Sequence, residues 1–285
     1  MGVVTKYRLL AIDVDGTLVA PDDVVPADLS AAVRRAHEAG IAVVLATGRS
    51  HAEAVDVWRQ LGLPTEAALM NVVGGAKVCE CDSGRTLFQR VIAPEAMTAF
   101  GEALRRRGRS AIAFVDGWRW GVDYYVAPGE DAHDVSERWF GQMDVRVREV
   151  PELTAAHGVP APLRINAICS EEEAESLAAE LREEMADHVD LHAILAPNYG
   201  VTIVEAFAKG VTKWMALQYV AQGRRIGRGS IVAVGDDVND LVMISEAGLG
   251  VAVPRATQRV LEAADMVAEN GLAAMIDDLV AGRLD

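Results

Sequence analysis

The segment Arg8-Leu9-Leu10-Ala11-Ile12-Asp13-Val14-Asp15-Gly16-Thr17-Leu18 decides the fold class. Its apolar run does not alternate with polar residues, which is how a strand buried on both faces of a parallel sheet reads. The run stops at Asp13, so Asp13 and Asp15 stand at the strand's carboxyl end, with Gly16 to turn the chain. Outward from this segment, Pro26 opens a helix with Leu29, Val33 and Ala36 on one face and Gly40 as its stop. Ile41 to Ala46 is a second strand. Ser50 with Glu53 makes a capping box for a helix running to about Leu61, and Ala67 to Val73 reads as a third strand. Strands alternating with helices predict a parallel sheet covered on both faces.

The pattern changes from Lys77. A hairpin is expected from Lys77 to Val91, turning at Asp82-Ser83-Gly84, then a helix from Pro94 to the run Arg105-Arg106-Arg107. Two strands flank Asp116-Gly117. A helix near Ala132 to Gly141, a strand near Val145, a strand Leu163–Cys169, an acidic helix Glu171–Asp187 and a strand Val189–Leu195 follow. The last third returns to the first pattern: a helix Thr212–Ala221, a strand Ser230–Val234 ending at Gly235-Asp236, a helix from about Asn239, short strands near Gly250 and at Asp265–Val267, and a closing helix. The expected fold is therefore α/β: a doubly wound parallel-sheet core, residues 1–76 and 198–285, split by an inserted α+β cap, residues 77–197.

Composition narrows the function classes. The 285 residues are 51% hydrophobic and 24% charged, which excludes disorder and a small disulfide scaffold. Lys and Arg number 27 against 42 Asp and Glu, a net charge of −15. A broad nucleic-acid surface is excluded on that balance, because phosphate backbones demand a basic stripe. Small anionic substrates fit if a metal ion and a few cations reverse the field locally. The start, Met1-Gly2-Val3-Val4-Thr5-Lys6, lacks a signal pattern, and no apolar run approaches a membrane span. A cytoplasmic protein that binds no membrane is expected. Cys79, Cys81 and Cys169 lack a second Cys/His cluster and read as packing residues.

In such a sheet, ligands bind beyond the carboxyl ends of the strands. Three strand ends carry reactive sequence: Asp13-Val14-Asp15-Gly16-Thr17, Thr47-Gly48-Arg49, and Gly235-Asp236-Asp237-Val238-Asn239-Asp240. Lys213 stands at the start of a helix between the last two. Clustered carboxylates repel one another unless a cation joins them, and hard oxygen ligands favour Mg²⁺. A metal-held carboxylate such as Asp13 can attack phosphorus, and Asp15 can protonate the leaving oxygen and then activate water. Thr47 with the amides after it can hold phosphoryl oxygens, whose charge Lys213 can balance.

These residues carry a resemblance. Asp13-Val14-Asp15-Gly16-Thr17-Leu18, then Thr47, Lys213 and Gly235-Asp236-Asp237-Val238-Asn239-Asp240, resemble in order the four motifs of the haloacid dehalogenase-like hydrolase superfamily. Thr47-Gly48-Arg49, Lys209-Gly210-Val211-Thr212-Lys213 and the Asn239-Asp240 pair are similar to its Cof-type (IIB) branch, with a C2-type cap. The resemblance implies Asp13 as nucleophile and Mg²⁺ ligand, Asp15 as general acid/base and backbone ligand, and Asp236 as third ligand. It implies phosphate or substrate binding by Thr47, Gly48, Arg49, Lys213 and Asn239, and an orienting role for Asp240. The chain departs from the family pattern at Gly74-Gly75-Ala76 and Ala252-Val253-Pro254-Arg255-Ala256.

The expected function is a Mg²⁺-dependent phosphatase acting on a small phosphorylated metabolite, such as a sugar phosphate, through an aspartyl-phosphate. The alternatives are a sugar phosphomutase of the same superfamily and a catalytically silent phosphometabolite-binding protein. Each residue also has a plainer reading: Asp13 and Asp15 as a strand-end turn with Gly16, Thr47 as a turn cap, and Lys213 as a solvated lysine with Lys209 as its rival. The Arg105–Arg109 run reads as a solvated helix end, and Trp118, Trp120, Tyr124 and Tyr125 as sheet packing rather than a sugar platform. His192, Arg164 and Asn166 are weak candidates for substrate contact.

Overall fold

The opening apolar run forms β1 (Leu9–Ile12), with every residue buried. The computed structural model describes residues 5–20, 23–135, 140, 145–196 and 201–285. Past a turn at Gly16, α1 (Ala27–Glu38) follows Pro26 and buries Leu29, Ala32, Val33 and Ala36. β2 (Ala42–Leu45) leads to α2 (His51–Leu61), whose capping box joins Ser50 and Glu53 reciprocally. β3 (Leu69–Val72) pairs antiparallel with β4 (Lys77–Glu80), which neighbours β5 (Thr86–Gln89). An isolated parallel bridge, Ala46 to Asn71, links this small sheet to the end of β2.

The chain divides into two units, Met1–Phe88 with Thr212–Asp285, and Gln89–Val211. The hairpin's first strand, β4, and most of β5 lie in the first of these units. The physical reason is that β4 bonds its backbone to β3, and Val78 packs with Leu9, Ala233 and Trp214.

The cap runs through α3 (Pro94–Arg105), β6 (Ala111–Phe114), a single turn α4 (Gly117–Trp120), β7 (Tyr124–Ala127), a turn α5 (Ala132–Asp134) and β8 (Val147–Glu149). It continues through β9 (Arg164–Cys169), α6 (Glu171–Met185), β10 (Val189–Ala196) and β11 (Val201–Ala208). Half of the helix expected over 132–141 lies outside the described residues. The sheet order is β10-β11-β9-β6-β7-β8, antiparallel except between β7 and β8. Met97, Phe100 and Leu104 of α3 and Leu177 and Leu181 of α6 cover one face, packing on Ala113, Ile165, Ala167 and Val204. β11 was not expected from the sequence. Its register with β10 and β9 places it in the same sheet, within the unit Gln89–Val211.

The core resumes with α7 (Lys213–Gly223), capped by Thr212, whose hydroxyl accepts from Met215 N at 3.1 Å. β12 (Ile231–Gly235), α8 (Leu241–Glu246), β13 (Leu249–Ala252), α9 (Gln258–Ala263), β14 (Met266–Val267) and α10 (Leu272–Val280) complete it. The sheet is parallel throughout, in the order β14-β13-β12-β1-β2. On one face Leu9, Ala11, Val44 and Ala233 pack with Trp214, Leu217 and Val220 of α7 and Met243 of α8. The alternate residues Leu10, Ile12, Val43 and Leu45 are buried on the other face. No described helix is long and apolar enough to cross a membrane.

At the departure Gly74-Gly75-Ala76, Gly75 has φ +102°, and a Cβ there would sit 2.1 Å from the carbonyl oxygen of Thr212, the cap of α7. Gly40, at φ +87°, has nothing within 4 Å of such a Cβ. Gly40→Ala is expected to cost only backbone strain, about 1 kcal/mol, whereas Gly75→Ala adds a clash and costs about 3 kcal/mol or more. Urea midpoints of the two variants check this; equal shifts would refute it.

Candidate active site

The sheet register builds the site. β1 and β12 are parallel neighbours with Ile12 opposite Val234, so Asp13 and Asp236 leave the same edge. Asp13 N donates to Val234 O at 3.0 Å, continuing the ladder to the first carboxylate. Gly16, at φ +78°, turns the chain beneath Asp236; a Cβ there would lie 2.3 Å from Asp236 Oδ2. Thr17 Oγ1 donates to Asp236 Oδ1 at 3.1 Å.

Lys213 is the first residue of α7 and 1% exposed. Its Nζ donates to Asp13 Oδ1 at 2.6 Å, Asp240 Oδ1 at 2.7 Å and Asn239 Oδ1 at 3.3 Å. Asn71, buried at the end of β3, fixes that helix start by donating from Nδ2 to Lys213 O at 2.7 Å. Burial and the helix N-terminus both oppose a cation here. Burial is the larger single influence on Lys213, yet Asp13 and Asp240 together overcome it and hold the ammonium's pKa above its ordinary value.

The carboxylates respond in the opposite way. Burial, and then repulsion from Asp240, raises Asp13 well above the usual carboxylate range. The same two causes push Asp236 up to about 6. Oxygens of Asp13, Asp236 and Asp240 all lie within 4.8 Å of one another. Three carboxylates face one ammonium, a formal surplus of two negative charges in a largely dry site. A hard-oxygen donor set with that surplus fits a divalent cation such as Mg²⁺. Asp240 is the poorest donor of the three. Its Oδ1 accepts from Lys213, and its Oδ2 from the backbone N–H groups of Asp236 at 3.1 Å and Asp237 at 3.3 Å.

Asp15 stands apart from this cluster. Its side chain is 53% exposed, and Arg49 Nε donates to its two oxygens at 3.1 and 3.0 Å and Arg49 Nη2 to Oδ1 at 2.5 Å. The same guanidinium pairs with Asp23, so Arg49 is engaged by two carboxylates rather than open toward an incoming phosphate. Thr47 is fully buried, and the bond from its N–H to Asn71 O holds it beside β3; its hydroxyl accepts from Arg49 N at 3.1 Å, with Gly48 between.

Thr17, Asn71 and Asp23 went unassigned in the sequence. Asn71 left one signal, a polar residue inside an apolar strand; Asp23 left none. In the cap, Tyr124 and Tyr125 are buried, while Trp118 and Trp120 are 52% and 56% exposed. The arginines at the end of α3 pair with α6 (Arg106 with Glu184, Arg107 with Glu180 and Glu184), and Arg109 with Glu173. A polar row crosses the cap sheet where His192 lies opposite Glu205 and Glu205 opposite Asn166; Glu205 also forms a buried ion pair with Arg164. Cys79, Cys81 and Cys169 are free and buried.

A parallel α/β core carrying buried carboxylates and a lysine at its carboxyl edge defines a hydrolase of the phosphoryl-transfer kind. The family model described as haloacid dehalogenase-like hydrolase matches residues 10–274, and the chain belongs to that family. It is 24% identical over 265 residues to a 5-amino-6-(5-phospho-D-ribitylamino)uracil phosphatase of Bacillus subtilis, covering 93% of this chain and 91% of the relative. It is 28% identical over 254 residues to an HMP-PP phosphatase of Cronobacter sakazakii, covering 89% and 86%. A solved subclass IIB sugar phosphatase superposes with a TM-score of 0.73 at 20% identity, covering 95% of this chain and 98% of the other, which shows the shared fold. The chain is accordingly an enzyme of the phosphoric monoester hydrolase type.

The raised carboxylates make a stability prediction. Asp236 holds its proton more tightly folded than unfolded, so its contribution is fully present below its ordinary value of 3.8 and lost as pH rises through about 6. Asp236→Asn is therefore expected to gain stability relative to metal-free wild type between pH 4 and 6.5. Urea denaturation in EDTA measures the difference; a pH-independent difference would contradict it.

Proposed function

We propose that this chain is a Mg²⁺-dependent phosphatase that hydrolyses a small phosphorylated metabolite through an aspartyl-phosphate on Asp13. The observation that carries this reading is the buried Asp13–Lys213–Asp240 cluster, with Asp236 beside it and a surplus of two negative charges. The relatives named above act on a phosphorylated ribitylamino-uracil, on HMP-PP and on sugar phosphates. A compact phosphate ester with a polar organic part is the substrate class they favour here.

Asp13 and Asp236, with the Asp15 carbonyl, would hold the ion. Bound Mg²⁺ supplies charge neutralisation for the phosphoryl oxygens and keeps neighbouring carboxylates ionised. The free Asp13 oxygen forms a bond to phosphorus while the ester P–O bond breaks, and the electron pair leaves with the alcohol oxygen. That oxygen takes its proton from Asp15. In the second half, Asp15 removes a proton from water, the water oxygen bonds to phosphorus, and the bond to Asp13 breaks to release phosphate. Lys213 holds Asp13 in place and balances charge on the phosphoryl group. Thr47 and the Gly48 amide bind its oxygens, as does Asn239, whose amide N–H₂ remains available while its Oδ1 accepts from Lys213. Asp240 orients Lys213.

The test is phosphate release from a panel of phosphorylated metabolites. Asp13→Asn is expected to lower turnover at least about a thousandfold. EDTA is expected to abolish release and added Mg²⁺ to restore it. Full Mg²⁺-dependent turnover by Asp13→Asn would overturn the mechanism.

A further inference from the structure

Arg49 does not stand against Asp15 alone. Its side chain is 11% exposed, and its guanidinium grips the Asp15 carboxylate on one side and that of Asp23 on the other. Among the described residues, Arg49 is the one side chain bonded to the Asp15 carboxylate. Asp23 is itself held in an unusual place. It adopts φ +58°, a left-handed conformation that is uncommon outside glycine, though less costly for aspartate than for most residues.

The fixing group is Gln60, near the end of α2. Its Nε2 donates to Asp23 O at 2.9 Å, and its Oε1 accepts from Val25 N at 2.9 Å. One side-chain amide thus brackets the loop on both sides of residue 24. The helix that begins one residue after Ser50, next to Arg49, also holds near its far end the backbone of the residue whose carboxylate Arg49 grips. An exposed ion pair contributes little to stability, typically under about 1 kcal/mol, so stability alone is a weak reason for this construction. Positioning is a better one. An arginine side chain has several rotatable bonds, and a fork bound to one half-exposed carboxylate moves with it; a second carboxylate anchored to a helix stops that motion.

We propose that Asp23, anchored by Gln60, is a positioning residue for proton transfer. It fixes the far side of the Arg49 guanidinium so that the fork holds the Asp15 carboxylate where it exchanges a proton with the leaving oxygen. This rests on the reading of Asp15 as general acid and base. Asp23 touches neither substrate nor metal and acts through Arg49. The proton balance is that of the mechanism above: Asp15 gives its proton to the departing oxygen and recovers one from the attacking water.

A positioning role is separable from a structural one by the leaving group. Phenolate from phenyl phosphate is a poor leaving group that needs a proton, whereas 4-nitrophenolate leaves largely without one. With Mg²⁺ present, Asp23→Asn is expected to lower kcat/KM about tenfold on phenyl phosphate and less than about twofold on 4-nitrophenyl phosphate. Asp23→Glu should recover most of the loss, and Gln60→Leu should give the same split in weaker form. In an Asp15→Asn background, Asp23→Asn should add nothing. Equal losses on both esters, no loss on either, or an undiminished loss in the Asp15→Asn background would each overturn the proposal. Failure of the underlying phosphatase reading looks different: wild type would release phosphate from neither ester, or Asp13→Asn would match wild type. Circular dichroism melting of each variant confirms that folded enzymes are compared.

Discussion

The buried ammonium of Lys213, between Asp13 and Asp240, is the interaction on which the rest of the core edge depends. Taking a cation and two carboxylates out of water is costly, and only close, multiple pairing offsets it. The pairing joins three segments distant in sequence: the end of β1, the start of α7 and the turn after β12. Asn71 adds a fourth by holding the carbonyl of Lys213. Removing one partner would leave a buried charge uncompensated, so each segment constrains the others. The cation also sits at a helix N-terminus, where the backbone dipole repels it. Two carboxylates within hydrogen-bond distance outweigh that repulsion.

The same arrangement separates the acidic groups by task. Asp240 spends its oxygens on Lys213 and on two backbone N–H groups, shaping the turn. Asp236 accepts from Thr17, shares a hydrogen bond with Asp13 and stays more open. Asp13 gives one oxygen to Lys213. Their mutual repulsion in a low-dielectric setting leaves a deficit of positive charge that a bound divalent cation would remove. Asp15, half-exposed and gripped by Arg49, stands outside this cluster.

The cap unit is built on different terms. Its sheet buries one face under α3 and α6 with apolar residues. Its strands also carry Arg164, Glu205 and Asn166 into burial, with the Arg164–Glu205 pair at 3.1 Å. A small surface pocket in this unit, lined by Thr98, Arg105, Arg109, Pro128 and Glu152 among others, contains none of the site carboxylates. Buried polar groups on a sheet demand partners, and among the described residues Asn166 has no hydrogen-bond partner for either polar side-chain atom.

Local pattern alone made much of this legible. Apolar runs ending in Asp13 and at Gly235-Asp236, the Ser50/Glu53 box and the alternation of strands with helices announce the core, because burial on two faces leaves a continuous apolar signature. The order of Asp13, Thr47, Lys213 and Asp236 along the chain pointed to phosphoryl chemistry. What the chain did not disclose depends on pairing between distant segments. β3 and β4 pair with each other in a small separate sheet, and β11 takes its place from its register with β9 and β10. Asp23 looks like any loop aspartate. Its place against Arg49 follows from a left-handed backbone and a glutamine 37 residues away, and no local pattern encodes a contact between such separated positions. Residue types and their periodicity determined the elements and the chemistry available; tertiary pairing decided which carboxylates share the buried cluster with Lys213 and which stands half-exposed against Arg49, because such contacts join segments far apart in sequence.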